Sequence, residues 1–144
     1  MVVDVEFQER YWYPDDGGEV WVAGYYPVDV TGRFLARDAL PDDLIVTHVA
    51  GTVHRASALA SDDAAPGRAL TLRPEPDNPH DPHAVAVLLA SGEPAGYVPR
   101  DIAPRIDAGW SAVVLREFRP SPREPRTGLT MLLARADTIE LRAR

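Results

Sequence analysis

The chain has 144 residues, 45% of them hydrophobic, enough to bury one core and to predict a single compact domain with an extension. It contains no cysteine, which excludes a disulfide framework, a thiolate nucleophile and a cysteine zinc site. The net charge of −7 argues against generic phosphate binding, but it is unevenly spread: residues 1–46 hold ten acids and three arginines, whereas residues 47–144 hold twelve of each.

From the start of the chain, residues 1–7 alternate, with Val3, Val5 and Phe7 opposite Asp4 and Glu6, the period of a half-buried strand. Residues 10–13 and 19–23 flank Pro14-Asp15-Asp16-Gly17-Gly18 and read as a hairpin with a longer turn. Tyr11, Tyr13, Trp21, Tyr25 and Tyr26 make this region aromatic. Amid ten acids they are expected to supply core or an interface before they stack on bases. Such an extension can also occlude a neighbouring site or dock a protein. Residues 34–40 read as one helical turn, closed by Pro41-Asp42-Asp43, which separates an acidic extension, residues 1–46, from a main domain, residues 47–144.

Residues 44–51 form a strongly apolar predicted strand, residues 56–60 a short helix and residues 61–67 a loop. Leu70 and Leu72 then alternate before Pro74, Pro76, Pro79 and Pro82. Each proline fixes φ and removes a ladder donor, so this segment is expected to form a stiff loop outside the sheet. Glu75, Asp77, Asn78, His80, Asp81 and His83 sit on it. An apolar strand over residues 84–89, a turn at Ser91-Gly92 and a return through Ala95-Gly96-Tyr97-Val98 mount this polar loop on a hairpin.

Residues 100–108 predict a short helix, with Ile102 and Ile106 on one face, Asp101 as N-cap and Gly109 beyond its end. Residues 111–118 predict a strand, residues 119–128 a proline-rich arginine loop, and residues 129–135 and 137–141 the strands that complete the sheet. Many short strands with one or two short helices make the fold mainly β, a small β-barrel. No apolar run is long enough to span a bilayer, and MVVDVEFQER lacks the basic start and apolar core of a leader, so a cytoplasmic location without membrane partners is expected.

The run Arg73-Pro74-Glu75-Pro76-Asp77-Asn78-Pro79-His80-Asp81-Pro82-His83-Ala84-Val85-Ala86-Val87, followed by Gly96-Tyr97-Val98-Pro99-Arg100, resembles the signature of the HIRAN domain. Val49-Ala50-Gly51-Thr52-Val53-His54-Arg55 resembles the strand that opens that domain, and the likeness spans residues 47–141. It implies an OB-like or SH3-like barrel, best known at the N-terminus of helicase-like repair translocases, where it binds single-stranded DNA and captures a 3′ end. Stand-alone bacterial copies are similar. By this resemblance Asp81 falls where the family's aspartate meets the terminal 3′-hydroxyl, with Asn78 on the same loop wall and Tyr97 in the second motif. His80 and His54 stand where the best-known members carry base-stacking tyrosines, and Val53 where they carry a phosphate-binding arginine.

Binding a DNA end needs a hydroxyl acceptor, flat surfaces for bases and donors for phosphate. Asp81 is the candidate acceptor and His54 and His80 the candidate surfaces, with Tyr97 a further candidate DNA-binding residue. Arg55, Arg73 and Arg100 are candidate donors, or else Arg123 together with Arg119 and Arg126. Alternation along a strand would put Arg55 on the side of Val53. All fifteen basic residues are arginine, a planar fork suited to phosphate and equally a product of GC-rich base composition. The expected activity is therefore a non-enzymatic, cofactor-free module of DNA repair or processing, partnered by a helicase or nuclease that does the chemistry. Two alternatives stand beside it. One is a protein-interaction or regulatory module that keeps the barrel without DNA binding. The other is a metal-dependent phosphoesterase using His80, Asp81 and His83, whose spacing fits no closed zinc pattern and which has no recognisable nucleophile beside it.

Overall fold

The computed structural model describes residues 1–13 and 18–144, so the turn expected over residues 14–18 lies outside them except for Gly18. Among the described residues the elements are β1 (Val2–Trp12), β2 (Val20–Pro27), β3 (Leu44–His48), α1 (Ala56–Ala60), β4 (Ala69–Pro74), β5 (Val85–Leu88), β6 (Pro94–Tyr97), β7 (Ser111–Arg119), β8 (Gly128–Ala134) and β9 (Glu140–Ala143). The fold is mainly β, as its sequence leads one to expect.

The sheet is built around β7, which pairs antiparallel with β2, β4 and β8. Its sequence SAVVLREFR has apolar residues on both faces, and period two sends them to two cores. Ala112 and Val114 join Leu70, Val85, Val87, Met131 and Leu133 in the larger cluster, while Val113 and Leu115 pack with Val3, Val5 and Leu132 in the smaller. Each fully buried leucine or valine contributes roughly 1.5–3 kcal/mol of burial.

The sheet does not close into a barrel among the described residues. The path β6-β5-β4-β7-β2-β1-β9 has β8 and β3 as a branch from β7. Strand β3 stops at His48, the chain turns at Gly51 with φ +76°, and a single-residue bridge between Ala50 and Tyr97 spans the gap to β6. That bridge has two 2.8 Å hydrogen bonds, one from each N–H to the other's carbonyl. It requires Gly96: at φ +156°, a Cβ there would meet Ala50 O at 2.2 Å.

Three local expectations change. The first strand is one continuous run of eleven residues, paired in register with β2 from Val5↔Pro27 to Trp12↔Val20, rather than a short strand followed by a separate hairpin. The segment expected to extend through residue 55 instead turns into a 3-10 helix, Thr52–His54, and then α1, so Arg55 does not alternate with Val53 along a strand. The expected helix over residues 100–108 is only a 3-10 turn, Ala103–Arg105. Asp101 caps nothing there because Ile102 holds the N-cap position and Pro104 has no N–H to donate; the turn ends where Ile106 N–H bonds Ala103 O, and the Asp107 carboxylate takes the Gly109 N–H at 2.9 Å in a separate turn after it. No helix among the described residues is long and apolar enough to cross a membrane.

Candidate nucleic-acid interface

The loop over residues 75–84 is held by its own polar groups. Glu75 N–H donates to Ala84 O (2.8 Å), Asn78 N–H to Glu75 O (3.0 Å) and Ala84 N–H to Asp81 O (3.1 Å). The Asn78 side-chain oxygen accepts from His80 N–H at 2.9 Å and Asp81 N–H at 3.2 Å, an Asx-type turn that the prolines stiffen. One oxygen of Asp81, Oδ1, accepts from His83 N–H at 2.9 Å. The other, Oδ2, lies 3.7 Å from Arg100 Nε, an ion pair too long to be a hydrogen bond, and the side chain keeps 18% exposure. Asp81 is thus half committed to its own turn and half open.

Asp81 is one wall residue of a groove of about 320 Å³, lined by Ala50, Asn78, His80, Asp81, Ala84, Tyr97, Val98 and Arg100. Five of the sequence-predicted residues converge here: Asn78, His80, Asp81, Tyr97 and Arg100. The loop supplies one wall, β6 and the residues after it supply the other, and the Ala50–Tyr97 bridge fixes their separation. Arg100 Nη2 approaches His80 O at 3.4 Å and ties the walls together at the mouth.

Glu75 is the residue that sequence reading placed on the loop without a role. Its Oε1 accepts from Asn78 Nδ2 at 3.1 Å and from the Tyr97 hydroxyl at 2.9 Å, while Oε2 pairs with Arg73 Nη2 at 3.2 Å. The Asn78 and Tyr97 hydrogen bonds, aided by Arg73, hold its carboxyl below the usual range against the desolvation that raises it. In return the Glu75 carboxylate lifts the Tyr97 hydroxyl above the ordinary tyrosine range, and the charges of Arg55 and Arg73 oppose that rise. The signal for Glu75 was its spacing of three from Asn78 in a proline-bounded turn, which brings the two side chains together.

The remaining predicted residues lie outside the groove lining. His54 is exposed and Arg55 half-buried on the turn after Ala50, and Val53 beside them is 79% exposed. Arg73 stands at the end of β4, bound to Glu75. Arg123 lines a different pocket with Asp62, Arg119, Glu124 and Arg126. Its neighbours are not free donors: Arg126 is buried against Glu117, with Nη1 donating to Leu59 O (2.9 Å) and Ser61 O (3.0 Å), and Arg119 is also paired with Glu117. Among the described residues no three His, Asp or Glu side chains gather as a cation cage.

A family model described as the HIRAN domain matches residues 43–130. The chain belongs to the HIRAN family. The match runs from the start of β3 into β8, so it contains every groove-lining residue and leaves β1, β2 and β9 outside. Among solved structures the chain is similar to the crystal structure of the HIRAN domain of human HLTF, with a TM-score of 0.43 and 20% identity over 63% of this chain and 75% of that chain. No curated protein matches it. HIRAN is a DNA-binding domain rather than a catalytic one, which supports nucleic-acid binding here.

Proposed function

We propose that this HIRAN domain is a non-enzymatic module that binds single-stranded DNA at its 3′ end, in the groove between residues 75–84 and β6. The observation that carries the reading is the convergence of Asn78, His80, Asp81, Tyr97 and Arg100, from two separate segments, on one groove. In this reading Asp81 Oδ2 accepts the proton of the terminal hydroxyl, since Oδ1 already serves the turn. Tyr97 and His80 offer faces on which the last bases stack, at roughly 1–3 kcal/mol per base. Arg100, Arg73 and Arg55 supply phosphate donors, with His54 at the rim and Arg123 further along the strand. The groove belongs to the domain over residues 47–144, to which residues 1–46 add an extension. Its place is in DNA repair or processing, where a helicase or nuclease partner supplies the chemistry.

The test is fluorescence anisotropy with a short oligonucleotide carrying either a free or a phosphorylated 3′ end. A terminal phosphate brings further negative charge against Asp81, so the free hydroxyl is favoured by about tenfold. Asp81→Ala should erase that preference. Equal binding of the two ends, or a preference that survives the substitution, sinks the reading.

A second reading rests on Val53. By the resemblance, the best-known members carry an arginine where this bare apolar side chain stands, and Val53 is 79% exposed. With residues 1–46 bearing the whole net charge of −7, a protein-interaction module is the alternative. Failure of the full chain to bind either oligonucleotide favours it.

A further inference from the structure

Two arginines stack on one tyrosine on the face of the sheet shared by β1, β2 and β7, and a third approaches them. The guanidinium carbon of Arg116 lies 4.3 Å from the centroid of the Tyr26 ring and that of Arg10 lies 5.6 Å from it. Gly24, the register partner of Arg116, makes room for that side chain: at φ +147°, a Cβ there would meet Leu115 O at 2.1 Å and Arg116 Cγ at 2.9 Å. Arg37 opens the 3-10 turn that follows Phe34, whose ring packs edge-on against Tyr26 at 5.9 Å. Arg116 is only 9% exposed, yet its one hydrogen bond runs from Nη1 to Tyr25 O at 2.9 Å. Its Nε and Nη2 donate to no group among the described residues and are not sealed from solvent. Among the described residues none of the three guanidiniums pairs with a carboxylate. Glu6 is the register partner of Tyr26 and Asp38 adjoins Arg37, but neither pairs with these arginines, and Glu9 points to the opposite face from Arg10. Burial pushes the Arg116 guanidinium below its ordinary range; the Tyr26 hydroxyl opposes that, and the charges of Arg37 and Arg10 add to it. Like charges are thus held together, one of them desolvated, without the acid that would ordinarily compensate them.

We propose that Arg10, Arg37 and Arg116 together bind a phosphate group, which supplies the counter-charge missing from this face. Arg116 is the anchored donor, fixed by the Tyr26 ring and Tyr25 O, and the exposed Arg10 and Arg37 close on the remaining oxygens. The ligand is small, either inorganic phosphate or the end of a phosphomonoester, because residues 1–46 carry the whole net charge of −7 and repel a long phosphate backbone. None of the three arginines lines the groove, and β7, β4 and β5 stand between β2 and β6 in the sheet.

The experiment follows the Arg116 Nε–H signal and the Tyr26 amide of the full chain by NMR during titration with inorganic phosphate, with sodium chloride at matched ionic strength as reference. Millimolar phosphate should shift both signals and chloride neither. Arg10→Gln and Arg37→Gln change exposed side chains, so both variants should keep the unfolding temperature while each weakens phosphate binding about tenfold. Arg116→Lys keeps the charge but loses the planar fork and should weaken it further. If that variant does not fold, the two exposed substitutions carry the test. Glu6→Gln removes the acid opposite Tyr26 and should tighten binding. Thymidine 5′-monophosphate distinguishes the sources: tighter binding than inorganic phosphate marks a nucleotide ligand, and equal or weaker binding a free phosphate. Shifts no larger than those of chloride, or shifts that survive Arg10→Gln and Arg37→Gln undiminished, overturn the proposal. So does an oligothymidylate without a terminal phosphate that displaces phosphate as readily as the monophosphate does, since the arginines would then track a backbone. Asp81→Ala leaves all these results unchanged, so the groove reading and this one fail separately.

Discussion

Val53 stands on the turn that follows Ala50, and its exposure leaves room for a longer side chain. If a DNA strand leaving the groove passes Ala50, an arginine at this position adds one phosphate contact. Val53→Arg should raise affinity for single-stranded DNA and steepen the dependence of log K on log salt by about 0.7. Unchanged affinity and slope in a salt titration would place the strand elsewhere. Glu75 makes a different kind of contribution, since it lies outside the groove lining and bonds Asn78 and Tyr97, which are part of it. Glu75→Ala leaves the Tyr97 hydroxyl and the Asn78 amide without their acceptor and frees the ring to move. Affinity should fall about tenfold, equivalent to one charge-assisted hydrogen bond, while the fold is retained. Tyr97→Phe should lose less, because the ring stays to stack; if it loses as much, the hydroxyl itself touches the ligand.

At the scale of elements, what could be read from sequence divides by how local its cause is. The polar loop was legible because its four prolines act within a few residues, whereas the Glu75–Asn78 spacing that ties it to Tyr97 passed unread. Strands β5, β7 and β8 were legible because their apolar runs leave no alternative. The groove's second wall was not, because it depends on Ala50 meeting Tyr97 across the sheet, and no local pattern announces that bridge. Strand β1 looked shorter than it is because Gln8, Glu9 and Arg10 carry no apolar residue; pairing with β2 extends it. Arg126 looked like a surface donor, and only the packing of β7 against the following loop buries it with Glu117, at 9% and 8% side-chain exposure. A buried charge stripped of its partner is costly, so Glu117→Ala should destabilise the fold by about 3–5 kcal/mol in a denaturant titration. A cost under about 1 kcal/mol would mean that water reaches Arg126 and the pair is a surface one.

For the molecule as a whole, the first and last strands form a clasp outside the family-matched region. Strand β9 runs parallel to β1 from Val2↔Glu140 to Val5↔Ala143, and its seat depends on Asp4. The Arg142 hydrogen bond holds the Asp4 carboxyl below its ordinary value of 3.8; desolvation opposes it, and the Arg142 and Arg144 charges add to the lowering. A carboxyl lowered in the folded state stabilises that state fully above its unfolded value and ceases to do so as pH falls through the folded one. The clasp should therefore hold above the ordinary aspartate range and loosen as the solution is acidified below it. Asp29 and Glu75 are lowered in the same direction, so global stability cannot separate the three groups and a local probe is needed. Amide exchange at Glu140 and Arg144, whose N–H groups bond Met1 O and Val5 O, reports β9 alone. Corrected for intrinsic rates, their protection should drop across that acid window in the native chain. In Asp4→Asn it should be lower at neutral pH and flat across the window. An equal acid-induced drop in both proteins would mean that Asp4 does not control the clasp, and would move the acid-sensitive contact to another carboxylate.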